Sequence, residues 1–338
     1  MVNEQSALVN SNKVDKVQIY EEPEVVDEEK EFSINFLGEI IMTVDIGKTL
    51  NYNYQSAFRS ISDVATKADY TAINLGTNIV KLDEIKDTSS KYIANHNILN
   101  AFNALGVDGV NLATDHMLDF GKDVFKDTKN ILVTDYDLIG LKDSVVYIEH
   151  DGIKAAIIGV CNEVIGLQSN YTDAGLMMYN LKNLKSMIKE AKKNVNTVIV
   201  LTHLGLENTH TITDIMAWFY RTLIDYGADV VLGDHALGIY PLEIYKDKPI
   251  VYSMGYIMSD TNYTSGKQGG IFNITLDEKG YLKNMEITPL YINAKKQTLL
   301  YSDYDKEKGK KVLQNISKDL NKDMYTLTDE KLIVNLTK

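Results

Sequence analysis

The sequence predicts a layered α/β domain, and three observations carry that prediction. Apolar, β-branched runs alternate with helical patterns between residues 54 and 235. Those runs end in clusters of Asp, Asn, His and Gly, the position at which open α/β sheets gather their sites. Beyond residue 240 the pattern turns β-rich, as in "KPIVYSMG" and "GGIFNITLDEKGYLKNMEITPLYI". Alternation followed by strands suits sheets covered by helices.

Residues 1–32 hold nine acids against three lysines, half of the net charge of −12, with Pro23 inside "EEPEVVDEEKE". That composition predicts a disordered linker or tether. The globular part, expected over 33–300, opens at "FSINFLGEIIMTV" (32–44), a strand run broken at Gly38-Glu39. Residues 54–68 read as a helix, 69–75 as a strand, 97–106 as a helix ended by glycine and 107–113 as a strand. Residues 144–160 read as a hairpin turning at Asp151-Gly152. An amphipathic helix over 181–194 precedes a buried strand over 195–203, and a helix over 213–227 precedes a strand over 228–235. A helix over 304–321 and a short strand over 331–337 make a C-terminal segment, 301–338, packed on the domain.

Bulk properties narrow the function. An acidic chain lacks the basic footprint of a nucleic-acid binder. A polyanionic substrate would need a local basic patch or a bound metal. No stretch approaches the roughly 18 apolar residues of a membrane span, and no basic-then-apolar leader follows Met1. The single cysteine, Cys161, excludes a disulfide within the chain and, inside "AAIIGVCNEV", reads as a small buried hydrophobe.

Five strand ends present chemistry: Gly38-Glu39, Asn74-Leu75-Gly76-Thr77, Thr114-Asp115-His116, His203 through Glu207, and Asp234-His235. Carboxylate, amide and imidazole converging from separate loops is what hard-to-borderline metals want. Each also has a structural reading. Asp115 is placed to cap a helix starting near Met117, and a single histidine after a strand is commonly a hydrogen-bonded structural residue. His96, His150 and His210 receive no role. Recurrence favours the site, since three of six histidines follow buried-looking strands.

The order "FLGE", "INLGT", "GVDGVNLATDHMLDFG", "VIVLTHLGLE", "LIDYGADVVLGDHALGIYPLEIY" and "PIVYSMGYI" resembles the CapA family of capsule and poly-γ-glutamate synthesis proteins, over about residues 33 to 275. The resemblance implies a calcineurin-like, metallophosphoesterase-like αββα sandwich. It also implies a ligand set. The family's Gly-Asp falls on Gly38-Glu39, and its Asn-Leu-Glu on Asn74-Leu75-Gly76, losing the acid. Its Asn-Asn-His falls on Thr114-Asp115-His116, and its His-Trp-Gly-x-Glu on the segment holding His203, Gly205 and Glu207. Its His-Pro-His falls on His235-Ala236-Leu237, losing one histidine, and its Tyr-Ser-Leu-Gly-Asn ends here in Tyr256. The implied metal ligands are Glu39, Asn74, Asp115, His203 and His235. His116 is the implied proton donor, and Asp234, Glu207 and Tyr256 are assigned to substrate.

Departures at five of six motifs imply altered chemistry. Exchanging Asp for Glu moves a carboxylate by about one bond, ~1.5 Å, against a tolerance nearer ~0.5 Å in a working site. With Leu237 in place of a histidine, the expectation is one divalent ion at most (Mn, Fe or Zn), or none. The resemblance implies a component of capsule or poly-γ-glutamate production that binds, retains or exports an anionic polymer. Its partners would be capsule synthesis membrane proteins, at the extracellular face, tethered by an N-terminal anchor that this chain does not contain. Two alternatives stand beside it: an active metal-dependent hydrolase of phosphoesters or γ-glutamyl linkages, and a non-catalytic scaffold that recognises sugar or peptide through some of the 21 tyrosines.

Overall fold

The computed structural model describes residues 29–81, 92–161, 172–205 and 211–337. The tether expected over 1–32 therefore lies outside the description except at its end, where Lys283 pairs with Glu29 at 3.1 Å and Glu31 at 2.5 Å.

Strand β1 (Phe32–Ile40) is central to the first sheet and runs parallel to β2 (Tyr70–Leu75). Its register shifts between Leu37 and Glu39. Gly38 permits that irregularity, because a Cβ there would lie 2.1 Å from the Gly255 carbonyl oxygen. The helix expected over 54–68 is instead a 3₁₀ turn, Tyr54–Phe58, and one α-turn, Ser62–Ala65. Hydroxyls compete for carbonyls here: Ser56 donates to the Asn53 carbonyl three residues back (2.6 Å), and Ser62 reaches across to the Ala104 carbonyl (2.6 Å).

A small parallel pair, β3 (Asn78–Val80) and β4 (Ile93–Asn95), stands apart from the main sheets. After the helix Ile98–Ala104, strands β5 (Gly109–Asn111) and β6 (Asp137–Ile139) extend β1 and β2 as parallel neighbours. The chain then crosses over. The hairpin β7 (Val146–His150) and β8 (Ile153–Cys161) turns at Asp151-Gly152, with φ of 49° and 86°, as the dipeptide predicted. Strands β9 (Thr197–His203) and β10 (Val230–Asp234) follow β8 in parallel, and β11 (Leu242–Tyr245) with β12 (Lys248–Val251) closes the second sheet.

Strand β13 (Tyr256–Met258) returns to pair with the end of β1. The strands β14 (Gln268–Leu276), β15 (Leu282–Ile292), β16 (Thr298–Leu300), β17 (Tyr325–Leu327) and β18 (Leu332–Asn335) then widen the first sheet with antiparallel pairs.

Alternation along each strand separates the layers. Phe32, Ile34 and Phe36 of β1 meet Ile199 and Leu201 of β9 and Val230 and Leu232 of β10 in a core between the sheets. On the outer faces, Leu37, Ile73 and Val110 pack under the helix Ile98–Ala104, and Val198, Val200 and Val231 under the helices Leu181–Ala191 and Asp214–Tyr226. At about 1.5–3 kcal/mol for each large apolar side chain buried, the inter-sheet core dominates the docking of the two halves. The C-terminal helix Lys306–Ile316 adds Leu313 and Ile316 to that core, as β18 adds Leu332 and Val334. The layers run helix, sheet, sheet, helix.

Candidate metal centre

The parallel strands of both sheets bring their carboxyl ends to one edge of the sandwich, and side chains from each sheet meet there. In the first sheet Glu39 registers beside Asn74, and Asn74 beside Asn111. In the second, His203 lies between Cys161 and Asp234. Asp115, in the turn after β5, reaches across the seam. Its Oδ1 lies 2.9 Å from His203 Nε2 and its Oδ2 3.5 Å from His235 Nδ1, while the two histidine nitrogens are 3.1 Å apart.

No helix starts near Met117. The next one begins at Gly121, so Asp115 caps nothing and faces the histidines. His235 sits at φ 82°, a left-handed conformation that costs a non-glycine residue energy. Its ring faces Asp115 and His203, and the buried Tyr256 hydroxyl donates to its carbonyl oxygen at 3.2 Å.

The donor spacing fits a metal. Bonds of about 2.0–2.1 Å to a tetrahedral ion place neighbouring donors about 3.3 Å apart; the histidine nitrogens are 3.1 Å apart, Asp115 meets them with different oxygens at 2.9 and 3.5 Å, and one donor atom from each residue can be chosen with all three within 4.8 Å of one another. A second group, Glu39, His203 and Asp234, has its donor atoms within 4.8 Å of one another. Beside it, His203 Nδ1 is buried without a hydrogen-bond partner, while the Asp234 carboxylate draws on the Asn74 amide and the His235 backbone. An unsatisfied buried nitrogen of this kind is expensive unless a proton or a cation joins it. A neutral imidazole has one lone pair, so His203 can serve only one ion at a time.

Charge is distributed to match. Burial alone would raise the Asp115 carboxyl, but the combined pull of His203, His235 and His116 outweighs it and holds the group well below the usual carboxylate range. Burial, reinforced by His203, lowers His235 to about 4, so the ring keeps its lone pair at neutral pH. Burial pushes Asp234 up to about 7, against the pull of His203, the His235 backbone and the Asn74 amide.

The other expected residues take varied places. His116 stands at the rim, its Nδ1 bonded to Asp119 Oδ2 at 2.9 Å, its Nε2 3.6 Å from Asp115 Oδ1, and its ring stacked on Tyr92 at 3.8 Å. Asn74, expected to offer oxygen to a metal, gives that oxygen to Asn111 Nδ2 at 2.7 Å. Tyr256, assigned to substrate, is buried and steadies the His235 turn instead. Asp234, also assigned to substrate, is 2% exposed and belongs with Glu39 and His203. Leu237 packs against the first-sheet core, and Glu207 falls outside the described residues. Cys161 is buried, and burial drives its thiol well up. The sequence reading missed Asn111, Asp119 and Tyr92. Only Asn111, the polar end of "GVN", carried a signal.

Two facing sheets with His and carboxylate donors at their joined edge define the calcineurin-like phosphoesterase fold. A phosphatase from Mycoplasma pneumoniae shares that architecture, with a TM-score of 0.50 at 14% identity over 78% of this chain and 95% of that one. Residues 33–261 match the family described as bacterial capsule synthesis protein PGA_cap, and the chain belongs to it. Among its relatives, the capsule biosynthesis protein CapA of Bacillus anthracis is 26% identical over 327 residues, covering 91% of this chain and 79% of that protein. The PGA biosynthesis protein CapA of Bacillus subtilis is 25% identical over 301 residues, covering 86% and 78%.

Proposed function

We propose that the chain serves capsule or poly-γ-glutamate production by binding the anionic polymer at a single divalent ion, with retention or export as its role. The observation that carries this reading is the Asp115–His203–His235 cluster, spaced for an ion in a chain whose relatives bear capsule and PGA synthesis names. An acidic protein needs a local cation to hold a polycarboxylate, and this cluster is where one fits. Mn, Fe and Zn all accept such mixed nitrogen and oxygen donors. Beside the His235 turn lies a cavity of about 500 Å³, lined by Leu237, Tyr240, Tyr263, Gln268 and Lys318, with room for an extended chain to continue past the ion. The setting we propose is the extracellular face of the membrane, with an N-terminal anchor and capsule synthesis membrane proteins as partners.

A hydrolytic variant of this reading draws on His116. Asp119 orients its ring and Tyr92 covers one face, so its Nε2 can hold a proton at the rim beside Asp115. A bound ion would supply Lewis acidity for phosphoester or γ-glutamyl cleavage.

Metal analysis of purified protein, followed by titration with poly-γ-glutamate at two salt concentrations, tests the proposal. We expect about one ion per chain, lost in His203→Ala, and polymer binding that weakens with salt. Metal-free protein that ignores the polymer at low salt would sink it. Turnover of γ-glutamyl or phosphodiester substrates that is lost in His116→Ala would move the conclusion to the hydrolase.

A further inference from the structure

Glu39 and Gly76 occupy one volume. A Cβ on Gly76 would lie 2.2 Å from Glu39 Oε1 and 3.0 Å from Glu39 Cδ, so the carboxylate sits where any side chain at 76 would begin. Glu39 is also fixed from behind. Its backbone N–H donates to the Gly255 carbonyl at 2.9 Å, and Gly38 lets that strand approach. With 1% exposure, the side chain has no alternative route to solvent.

Across the seam stands Asp234, 2% exposed, its carboxylate met by the Asn74 amide and the His235 backbone and its donor atom grouped with those of Glu39 and His203. Two buried carboxylates and one imidazole form a harder donor set than the one carboxylate and two imidazoles of the neighbouring group, with which they share His203.

We propose that Gly76 and Asp234, together with Glu39, build a carboxylate face onto the His203 centre that selects an oxygen-preferring divalent ion of the manganese type. This rests on the metal reading above. In it Gly76 is a positioning residue, since the glycine admits the longer acid, and Asp234 is a ligand. Carboxylate donors suit manganese, whereas imidazole donors also serve zinc, copper and iron. Removing one carboxylate therefore costs Mn²⁺ more than Zn²⁺.

The test titrates Mn²⁺ and Zn²⁺ separately into metal-stripped protein by calorimetry, with metal content and melting temperature measured in parallel. Asp234→Asn and Gly76→Ala are each expected to weaken Mn²⁺ about 10–100-fold, the range seen when residues supporting a metal site are lost, and to weaken Zn²⁺ less. Gly76→Ala also lowers the melting temperature of the metal-free protein, and Glu39→Asp in that background recovers it by withdrawing the acid from the added methyl. Equal losses for the two ions, or Gly76→Ala that binds and melts like wild type, would overturn the inference while leaving the metal reading intact. Wild-type protein that takes up neither ion would overturn both.

Discussion

At the residue scale, His235 combines function with strain. Its φ of 82° favours glycine, yet its ring is needed beside Asp115 and His203. His235→Gly should therefore be about 1 kcal/mol more stable than His235→Ala, because only alanine retains the left-handed penalty. Chemical denaturation of the two variants measures the difference, and equal stabilities would remove strain from the account. Asp234 gives a pH signature with a definite sign. Its folded pKa of about 7 lies above the ordinary 3.8, so its contribution is full below about pH 4 and is lost as pH rises through 7. His235 works in the opposite sense, lowered to about 4 from 6.5, so its contribution is lost as pH falls from 6.5 through 4. Above pH 6.5 only the Asp234 loss remains. Metal-stripped wild type should lose stability between pH 6.5 and 8, and Asp234→Asn should flatten that fall.

At the element scale, the seam between the sheets depends on glycines that the sequence shows but does not explain. A Cβ on Gly159, in β8, would lie 2.3 Å from Asn111 Oδ1 and 2.8 Å from the Gly140 backbone. Gly159→Ala should thus cost about 1–3 kcal/mol by overpacking. It should also disturb the Asn111–Asn74 bond that organises the first-sheet side of the site. A denaturant midpoint close to wild type would contradict this. Strands and turns with local signals were legible: the Asp151-Gly152 hairpin, the buried run of β9, and the helix Asp214–Tyr226 capped by Thr213 and ended by Gly227. Two segments were not. Residues 54–68 have helical periodicity, but the helix breaks after Phe58, and the Ser56 hydroxyl bonds a nearby carbonyl while that of Ser62 reaches away to Ala104. The helix expected near Met117 begins four residues later, at Gly121, because residues 115–120 form turns in which His116 Nδ1 bonds Asp119.

At the scale of the whole molecule, the C-terminal segment belongs to the core. Leu313, Ile316, Leu332 and Val334 are all within 1% of complete burial between the sheets. Removing residues 301–338 should lower the melting temperature markedly and promote association through the bared edge of β15. Scanning calorimetry and size-exclusion chromatography would show it, and a monomer melting like the full chain would refute it. The four-layer architecture followed from alternation and family resemblance. The site followed in part: Glu39, Asp115, His203 and His235 come together as the strand ends foretold. The coupling of Gly76 to Glu39 and the role of Asn111 depend on distances across strands, which no linear reading supplies.

Asp115 belongs to one sheet's loops and His203 and His235 to the other's, so their meeting has a mechanical meaning. An ion seated among them would act as a clasp on the sandwich. By mass action it would add about 2.7 kcal/mol to stability at a hundredfold excess over its Kd. The protection would be local, slowing amide exchange at the ends of β5, β9 and β10 while the outer helices breathe as before. Occupancy would then govern how easily the two halves part.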